Sequence, residues 1–510
     1  MAQESSTFIV PLGSYSRPLG NLEVFFKTLA DLGAPLQREH WAVHLVLRLN
    51  FVGRGNVDIS NPEPYLRRAW QAVRRQHPAI GSTISLPVAP YNDTAAPFTA
   101  RERLEIAPFD PETWDNETFV VHHGDGDANS LFSNLRPSST VMCYWLPSSS
   151  EIIIRSSHWR LDGIGIVMLG HSFMTALATM FRLGPSAPYL NANLDNLQTS
   201  ASKPLPPNIE DLAKKESTKD SSQQKEFDLR LEAGADALVA EFLRGVPSIG
   251  LPTRADSEQL PPGASAHEQI CLDVTTTAKV MAARRAKGFS FTGTVHAAIV
   301  RVTAQYPQHA LSKAYAAFFP VDLRKSIADS NAIAQDELLC GLYFSGLPVC
   351  VDGMISDEDV TAKGFDDVAR EMTAVYGRDL TKFWTAPDGQ VVSLLDLVEP
   401  YLTRTTALFS APVPEGLPPT QTPDLSSLGK VEAYLQREYE SDTEAPKVEV
   451  ADMWIATEML NRSIQFHVWS WKDELNIGAS FNQSFYKKDF VVDVLNKVVK
   501  ELLVGLDIDE

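Results

Sequence analysis

The sequence predicts a layered α/β or α+β protein built as two lobes, and three observations carry that reading. The chain has 510 residues, while domains typically run about 100–200, so a single core cannot hold it. Strand-like alternation and helix-like stripes are interleaved in both halves, the pattern of mixed layers rather than of a pure bundle or sandwich. Between residues 183 and 224 the chain turns rich in Pro, Ser, Asn, Lys and Asp, a composition suited to a linker or surface crossover. The expected organisation is an N-terminal lobe over residues 1–182, a crossover linker over 183–224 and a C-terminal lobe over 225–510.

Taken in order, Trp41, Val43, Leu45, Leu47 and Leu49 alternate with smaller or polar side chains, which predicts a half-buried strand. Asn61-Pro62-Glu63 is a helix start, followed by a stripe at Leu66, Ala69, Trp70 and Val73. Arg67, Arg68, Arg74 and Arg75 fall to its solvated face. A loop-rich segment follows from Pro87 to Glu117, and then short strands at Val141–Leu146 and Glu151–Arg155 about a Pro-Ser-Ser-Ser turn. Gly163 to Phe181 carries no formal charge and approaches membrane-spanning length, but it contains His171, Ser172 and three glycines. It reads as a helix buried inside a large domain.

In the second half, Val295, Ala298, Ile299 and Val302 form a helical stripe after Thr292-Gly293-Thr294. Ala314–Val321 reads as a strand that ends in Asp322-Leu323-Arg324, and Ala411–Pro423 as irregular chain. Ile464–Trp469 and Leu475–Phe481 flank Lys472-Asp473-Glu474 as a hairpin, and paired apolar residues from Val491 to Leu503 make a final helix. No repeat of fixed period is visible.

The formal net charge of −19 argues against nucleic acid and anionic lipid as partners, since both need a basic surface. Cys143, Cys271, Cys340 and Cys350 show no CxxC spacing, so neither a structural metal site nor a disulfide framework is expected, and a reducing interior fits best. MAQESSTFIV lacks a basic region followed by an apolar run, so no secretory signal is read there. The expectation is a cytoplasmic monomer without membrane insertion.

Chemistry concentrates in Ser157-His158-Trp159-Arg160-Leu161-Asp162-Gly163. A strand delivers His158 and an apolar helix follows Gly163, so the imidazole is held on both sides of a turn. A general base needs such placement, within hydrogen-bond reach of the proton it removes. Asp162 could orient the ring or pair with a cation that fixes the turn, and Gly163 permits close backbone approach. The HxxxD spacing occurs a second time, at His123 and Asp127 after His122, but there it runs into a Gly/Asp/Asn-rich loop that reads as solvated.

These residues resemble the HxxxDG turn of the CoA-dependent acyltransferase superfamily. That superfamily includes plant BAHD acyltransferases, peptide-synthetase condensation domains and fungal trichothecene O-acetyltransferases. Leu66–Ser82 is similar to the early helix and HPxL segment of condensation-like folds, and Phe318–Ser326 (FFPVDLRKS) to their D-x-R strand. Ser426–Leu435 (SSLGKVEAYL) resembles the SSLG segment of the fungal enzymes, the trichothecene 15-O-acetyltransferase type in particular. The plant-type DFGWG segment is absent, and Ser157 stands where condensation domains carry the first of two histidines.

The resemblance implies two chloramphenicol-acetyltransferase-like lobes with a channel between them, completed by a segment of the second lobe that crosses to the first. It implies His158 as catalytic base, with Asp162 structural and paired to Arg324. Acetyl-CoA or another acyl-CoA would be the co-substrate, a small-molecule alcohol the acceptor, and neither a metal nor a tightly bound cofactor is required. Ser426, Ser427 and backbone near Gly429 are candidate oxyanion donors. Arg284, Arg285 and Lys287 could hold the nucleotide end of CoA, and equally suit an exposed helix face. Three rival readings stand beside this one. Gly170-His171-Ser172 begins like a nucleophile elbow, but Met174 replaces its second glycine. The fold could also serve a non-catalytic binder of a ligand or carrier protein, or a condensation-type enzyme using a carrier-bound thioester.

Overall fold

Strand Val43–Val52 is buried through its first five residues, so it is enclosed on both faces rather than half-buried as its alternation implies. It pairs antiparallel with Glu151–Ser156 on one side and with Lys447–Thr457 on the other. The computed structural model describes residues 16–53, 59–85, 102–186, 205–214, 221–355, 363–441 and 444–509. Within them, a six-stranded sheet runs in the order Glu438–Tyr439, Lys447–Thr457, Val43–Val52, Glu151–Ser156, Met142–Leu146, Phe119–Val121. Its first two strands come from the C-terminal half of the chain, so the second lobe's chain completes the first lobe's sheet.

Helix Gly163–Leu183 lies against this sheet and against helix Glu63–Gln76. A Cβ on Gly170 would lie 2.5 Å from Leu45 Cδ2, so the helix approaches strand Val43–Val52 as closely as a glycine allows. The helix is long and apolar enough to cross a membrane by length and composition, yet most of its apolar window is buried inside the fold. Ile166, Val167, Leu169, Phe173, Met174 and Leu177 are all enclosed.

The second sheet has the order Asp424–Lys430, Gln465–Trp471, Glu474–Asn482, Ser265–Leu272. The expected hairpin is its antiparallel centre. Phe466, Val468, Ile477, Ala479 and Phe481 are buried on the face that meets helices Val274–Ala286, Phe291–Ala304 and Lys488–Gly505. The opposite face turns to the first lobe. Tyr315–Asp322 and Phe344–Val351 form a separate antiparallel ladder. Mixed layers and a two-lobe architecture are thus both present.

Three stretches differ from the sequence reading. The loop-rich segment contains helix Pro111–Thr118, started by Asp110, whose Oδ2 accepts from Thr113 N at 2.7 Å, and by Pro111 in the first turn. Within the 183–224 crossover, helix Ile209–Ala213 buries Ile209 and Leu212, and Glu210 Oε1 accepts from Leu22 N at 2.8 Å. Helix Ser221–Leu243 begins before the expected boundary at 225; residues 187–204 and 215–220 lie outside the described residues. Arg74 is not on a wet face: it is buried, donates to Ala107 O at 2.9 Å and lies over the Phe109 and Trp114 rings.

Candidate active site

Strand Glu151–Ser156 ends in a tight turn, where Arg160 N and Leu161 N both reach back to Ser157 O. Arg160, itself buried, clamps the turn by donating to Ser82 O at 2.8 Å and Ser139 O at 2.7 Å. His158 is thereby set between a rigid strand and the helix that starts at Gly163.

Asp162 fixes the far side of the turn, and its oxygens are fully engaged. Oδ1 caps the helix by accepting from Gly165 N at 2.7 Å and also accepts from Arg324 Nη2 at 2.8 Å. Oδ2 accepts from Tyr343 N at 3.0 Å. The pair is deeply buried, with Asp162 4% and Arg324 1% exposed. Arg324 is held in turn by Asp322 Oδ1 at 2.9 Å and Leu338 O at 3.0 Å. A buried ion pair this well satisfied positions chains more than it stabilises them, and losing one partner is costly. Here it joins the HxxxDG turn to the segment 338–343 of the second lobe, where Leu161 also bridges Gly341. A Cβ on Gly165 would lie 2.5 Å from Leu339 O, so a glycine is required there for backbones to meet. Asp162 therefore locks the turn rather than hydrogen-bonding the imidazole.

The His158 ring stacks on Phe26, with centroids 4.1 Å apart and planes 11° from parallel, and Phe344 tilts against it at 5.7 Å. Phe26 belongs to helix Asn21–Asp31 and Phe344 to strand Phe344–Val351, so both halves of the chain grip the ring. Nδ1 is buried and completes no hydrogen bond with a described residue, though its own backbone oxygen attracts it. The residue keeps partial exposure, and Nδ1 but not Nε2 is enclosed without a partner, so Nε2 is the nitrogen offered to a substrate. Burial lowers the ring's pKa to about 4, against weaker pulls upward from its own backbone, Asp162 and Glu39. At neutral pH the imidazole is uncharged and its lone pair free to accept a proton.

Strand Asp424–Lys430 runs alongside: a Cβ on Gly163 would lie 3.7 Å from Leu428 Cδ2. The strand bulges between Ser427 and Gly429, and Gly429 takes a φ of +64° that favours glycine.

No protein-family model matches the chain. The loline biosynthesis cluster 1 transcription factor lolU1 of Epichloe uncinata is 32% identical over 505 residues, covering 97% of this chain and 95% of that protein. The acetyltransferase pigO of Monascus ruber is 25% identical, covering 97% of each. Among solved structures, TRI3 trichothecene 15-O-acetyltransferase from Fusarium sporotrichioides superposes with a TM-score of 0.69 at 15% identity, over 96% of this chain and 95% of that one. The chain belongs to the CoA-dependent acyltransferase superfamily.

As a member of that superfamily with a condensation-domain-like fold, it brings some expected site residues together and keeps others apart. His158, Asp162, Gly163 and Arg324 converge on the turn. Ser427 Oγ shares a 3.0 Å hydrogen bond with Thr292 Oγ1, and Ser426 pairs across the ladder with His467. Arg284, Arg285 and Lys287 sit at the end of helix Val274–Ala286. There Lys287 is already paired with Asp366 at 3.0 Å and Asp507 at 2.9 Å, Arg284 donates to Phe289 O at 3.0 Å, and Arg285 is exposed. No described contact links the three to the turn. His123 is exposed, and Ser172 sits within helix Gly163–Leu183 with its Oγ 3.0 Å from His77 Nε2. Sequence reasoning missed Phe26 and Phe344. An amphipathic helix around Leu22, Phe26 and Ala30 was a readable signal for the first; nothing local marks the second.

Proposed function

We propose that this acyltransferase moves an acyl group, in the first instance acetyl from acetyl-CoA, to a hydroxyl of a hydrophobic secondary metabolite such as a terpenoid or polyketide, with His158 as general base. The carrying observation is the His158 ring: neutral by burial, stacked on Phe26 with Phe344 flanking the stack, and open at Nε2. The names of lolU1, from a loline biosynthesis cluster, and of the trichothecene 15-O-acetyltransferase TRI3 tie those relatives to fungal natural products, which supports the acceptor class. A cytoplasmic monomer fits the composition.

Nε2 takes the proton of the acceptor hydroxyl as its oxygen attacks the thioester carbonyl. The C–S bond then breaks, and the imidazolium returns its proton to the departing thiolate. The apolar clamp that keeps His158 neutral also makes its cation costly, and the developing oxyanion beside it offsets that cost. Ser426, Ser427 and backbone N–H groups of the bulge at Gly429 are the candidates for oxyanion donors. General-base catalysis contributes about 10²–10⁴-fold, with orientation adding more. The transcription-factor name of lolU1 prompts a DNA-binding reading, which a net charge of −19 opposes.

The test is acceptor-dependent release of free thiol from acetyl-CoA with a pool of fungal metabolites, followed by mass spectrometry of the products. Thiol release with a product heavier by one acetyl group supports the proposal. A protein that binds the pool without releasing thiol is a binder, and one active only with a phosphopantetheinylated carrier is a condensation-type enzyme.

A further inference from the structure

The face of the second sheet that looks toward the first lobe is polar, and the strand register arranges it in rows. One row is Asp424, Gln465, Ser480 and His267; the next is Ser426, His467, Gly478 and Gln269. The first row is partly consumed by the crossing strand Lys447–Thr457, because Thr457 N donates to Ser480 Oγ at 3.2 Å and Thr457 Oγ1 to Gln465 Oε1 at 3.1 Å. What remains is a cluster without well-formed hydrogen bonds to described residues: both ring nitrogens of His267, Nδ1 of His467 and Oε1 of Gln269, with His267 and Gln269 close enough to attract one another weakly. His267 and His467 are each only 2% exposed.

Gly478 explains how the two rings meet. A Cβ there would lie 2.6 Å from His267 Cε1 and 3.3 Å from its Nε2, so the His267 ring leans over the glycine whose ladder partner is His467. The indole of Trp454 stacks on His267 at 4.7 Å and 6°. Burial lowers His467 to about 3 and His267 to about 4, and His267 and His158 lie near enough to His467 to disfavour charge on its ring further. Both imidazoles are therefore neutral, each offering one donor and one acceptor. That set matches a hydroxyl or carbonyl oxygen and does not match an anion. Buried polar atoms left unpaired are costly, and three side chains of this kind gathered on the inter-lobe face make a place where a bound oxygen would complete the bonds.

We propose that His467, His267 and Gln269, backed by Trp454, form a recognition subsite for a second, non-reacting hydroxyl or carbonyl group of a neutral oxygenated acceptor, while His158 addresses the reacting hydroxyl. The inference rests on the proposed function, and binding can be read apart from turnover. The probes are a naphthyl ethanol and the corresponding naphthyl ethane-diol, which share an apolar body and differ by one hydroxyl. Calorimetric titration of the whole chain should show the diol binding roughly three- to tenfold tighter, the span of one added hydrogen bond. His467→Phe removes the polar atoms, and Gly478→Ala pushes the His267 ring aside without removing any; both should erase the preference and leave the mono-ol within about twofold. Equal affinities in the unaltered protein, no diol binding, or a preference that survives both substitutions would overturn the subsite. A preference without thiol release from acetyl-CoA keeps the subsite and removes the proposed function, whereas thiol release without a preference does the reverse.

Discussion

His123 and Asp127 stand at the same spacing as His158 and Asp162, and in both copies the aspartate caps a helix. Asp127 Oδ1 accepts from Ser130 N at 2.9 Å, as Asp162 Oδ1 accepts from Gly165 N at 2.7 Å. Beyond that the two part. Asp127 and His123 are exposed and the helix runs only from Ala128 to Phe132, whereas Asp162 meets Arg324 and Tyr343 from more than 150 residues away. His158 likewise meets rings distant in sequence, Phe344 from the second lobe and Phe26 from the N-terminal helix. The spacing builds a helix start; the second lobe turns one such start into a site.

This comparison can be broken most forcefully at the aspartates. Asp162→Ala leaves Arg324 buried with one partner fewer and should cost about 3–5 kcal/mol of unfolding free energy. Asp127→Ala removes an exposed cap and should cost about 1 kcal/mol. Urea titrations of the two variants measure both, and equal losses would mean that the second lobe adds nothing to the turn.

Acid should act next most strongly, through the buried imidazoles. His40, His158 and His267 are lowered to about 4, His296 and His467 to about 3, and His44 well below its ordinary value, all by burial first. Between the unfolded value near 6.5 and the folded values, the unfolded chain binds more protons, so stability falls as pH falls through that window. Asp424 and Glu458, raised by burial to about 7, and Asp115, Glu210 and Asp322, also raised by burial, work in the opposite direction, but with His171 seven lowered histidines outnumber these five carboxyls. His267→Phe should therefore shift the acid-unfolding midpoint to lower pH, and a shift upward would contradict the account.

A smaller effect separates the glycines of the two copies. Gly165→Ala forces a Cβ to 2.5 Å from Leu339 O and should cost about 1–3 kcal/mol. Gly126→Ala places its Cβ 3.3 Å from Ser130 Cβ beside a solvated loop and should stay within about 0.5 kcal/mol. Thermal unfolding of the pair checks it.

Much of the frame was legible in the sequence because it is local. The strand–turn–helix around His158, the terminal hairpin and the buried helix after Gly163 each announce themselves by periodicity and turn residues. Strand Lys447–Thr457 did not, because its register shifts between Val450 and Asp452 and the bulge breaks the two-residue alternation. Helix Pro111–Thr118 was missed despite its Asp-Pro start, since a short helix of few apolar residues has almost no stripe to read. The environment of His158 was out of reach for a different reason: Phe26, Phe344 and His467 are ordinary core residues locally, and only strand pairing and lobe docking bring them to the imidazole.

The most direct trial of the central claim is acceptor-dependent thiol release from acetyl-CoA by His158→Ala and His123→Ala, each against the unaltered protein. The account predicts that kcat/KM falls by at least about 10²–10⁴-fold in the first and stays within about twofold in the second. Retained turnover in His158→Ala, or a loss that follows His123 instead, would contradict it.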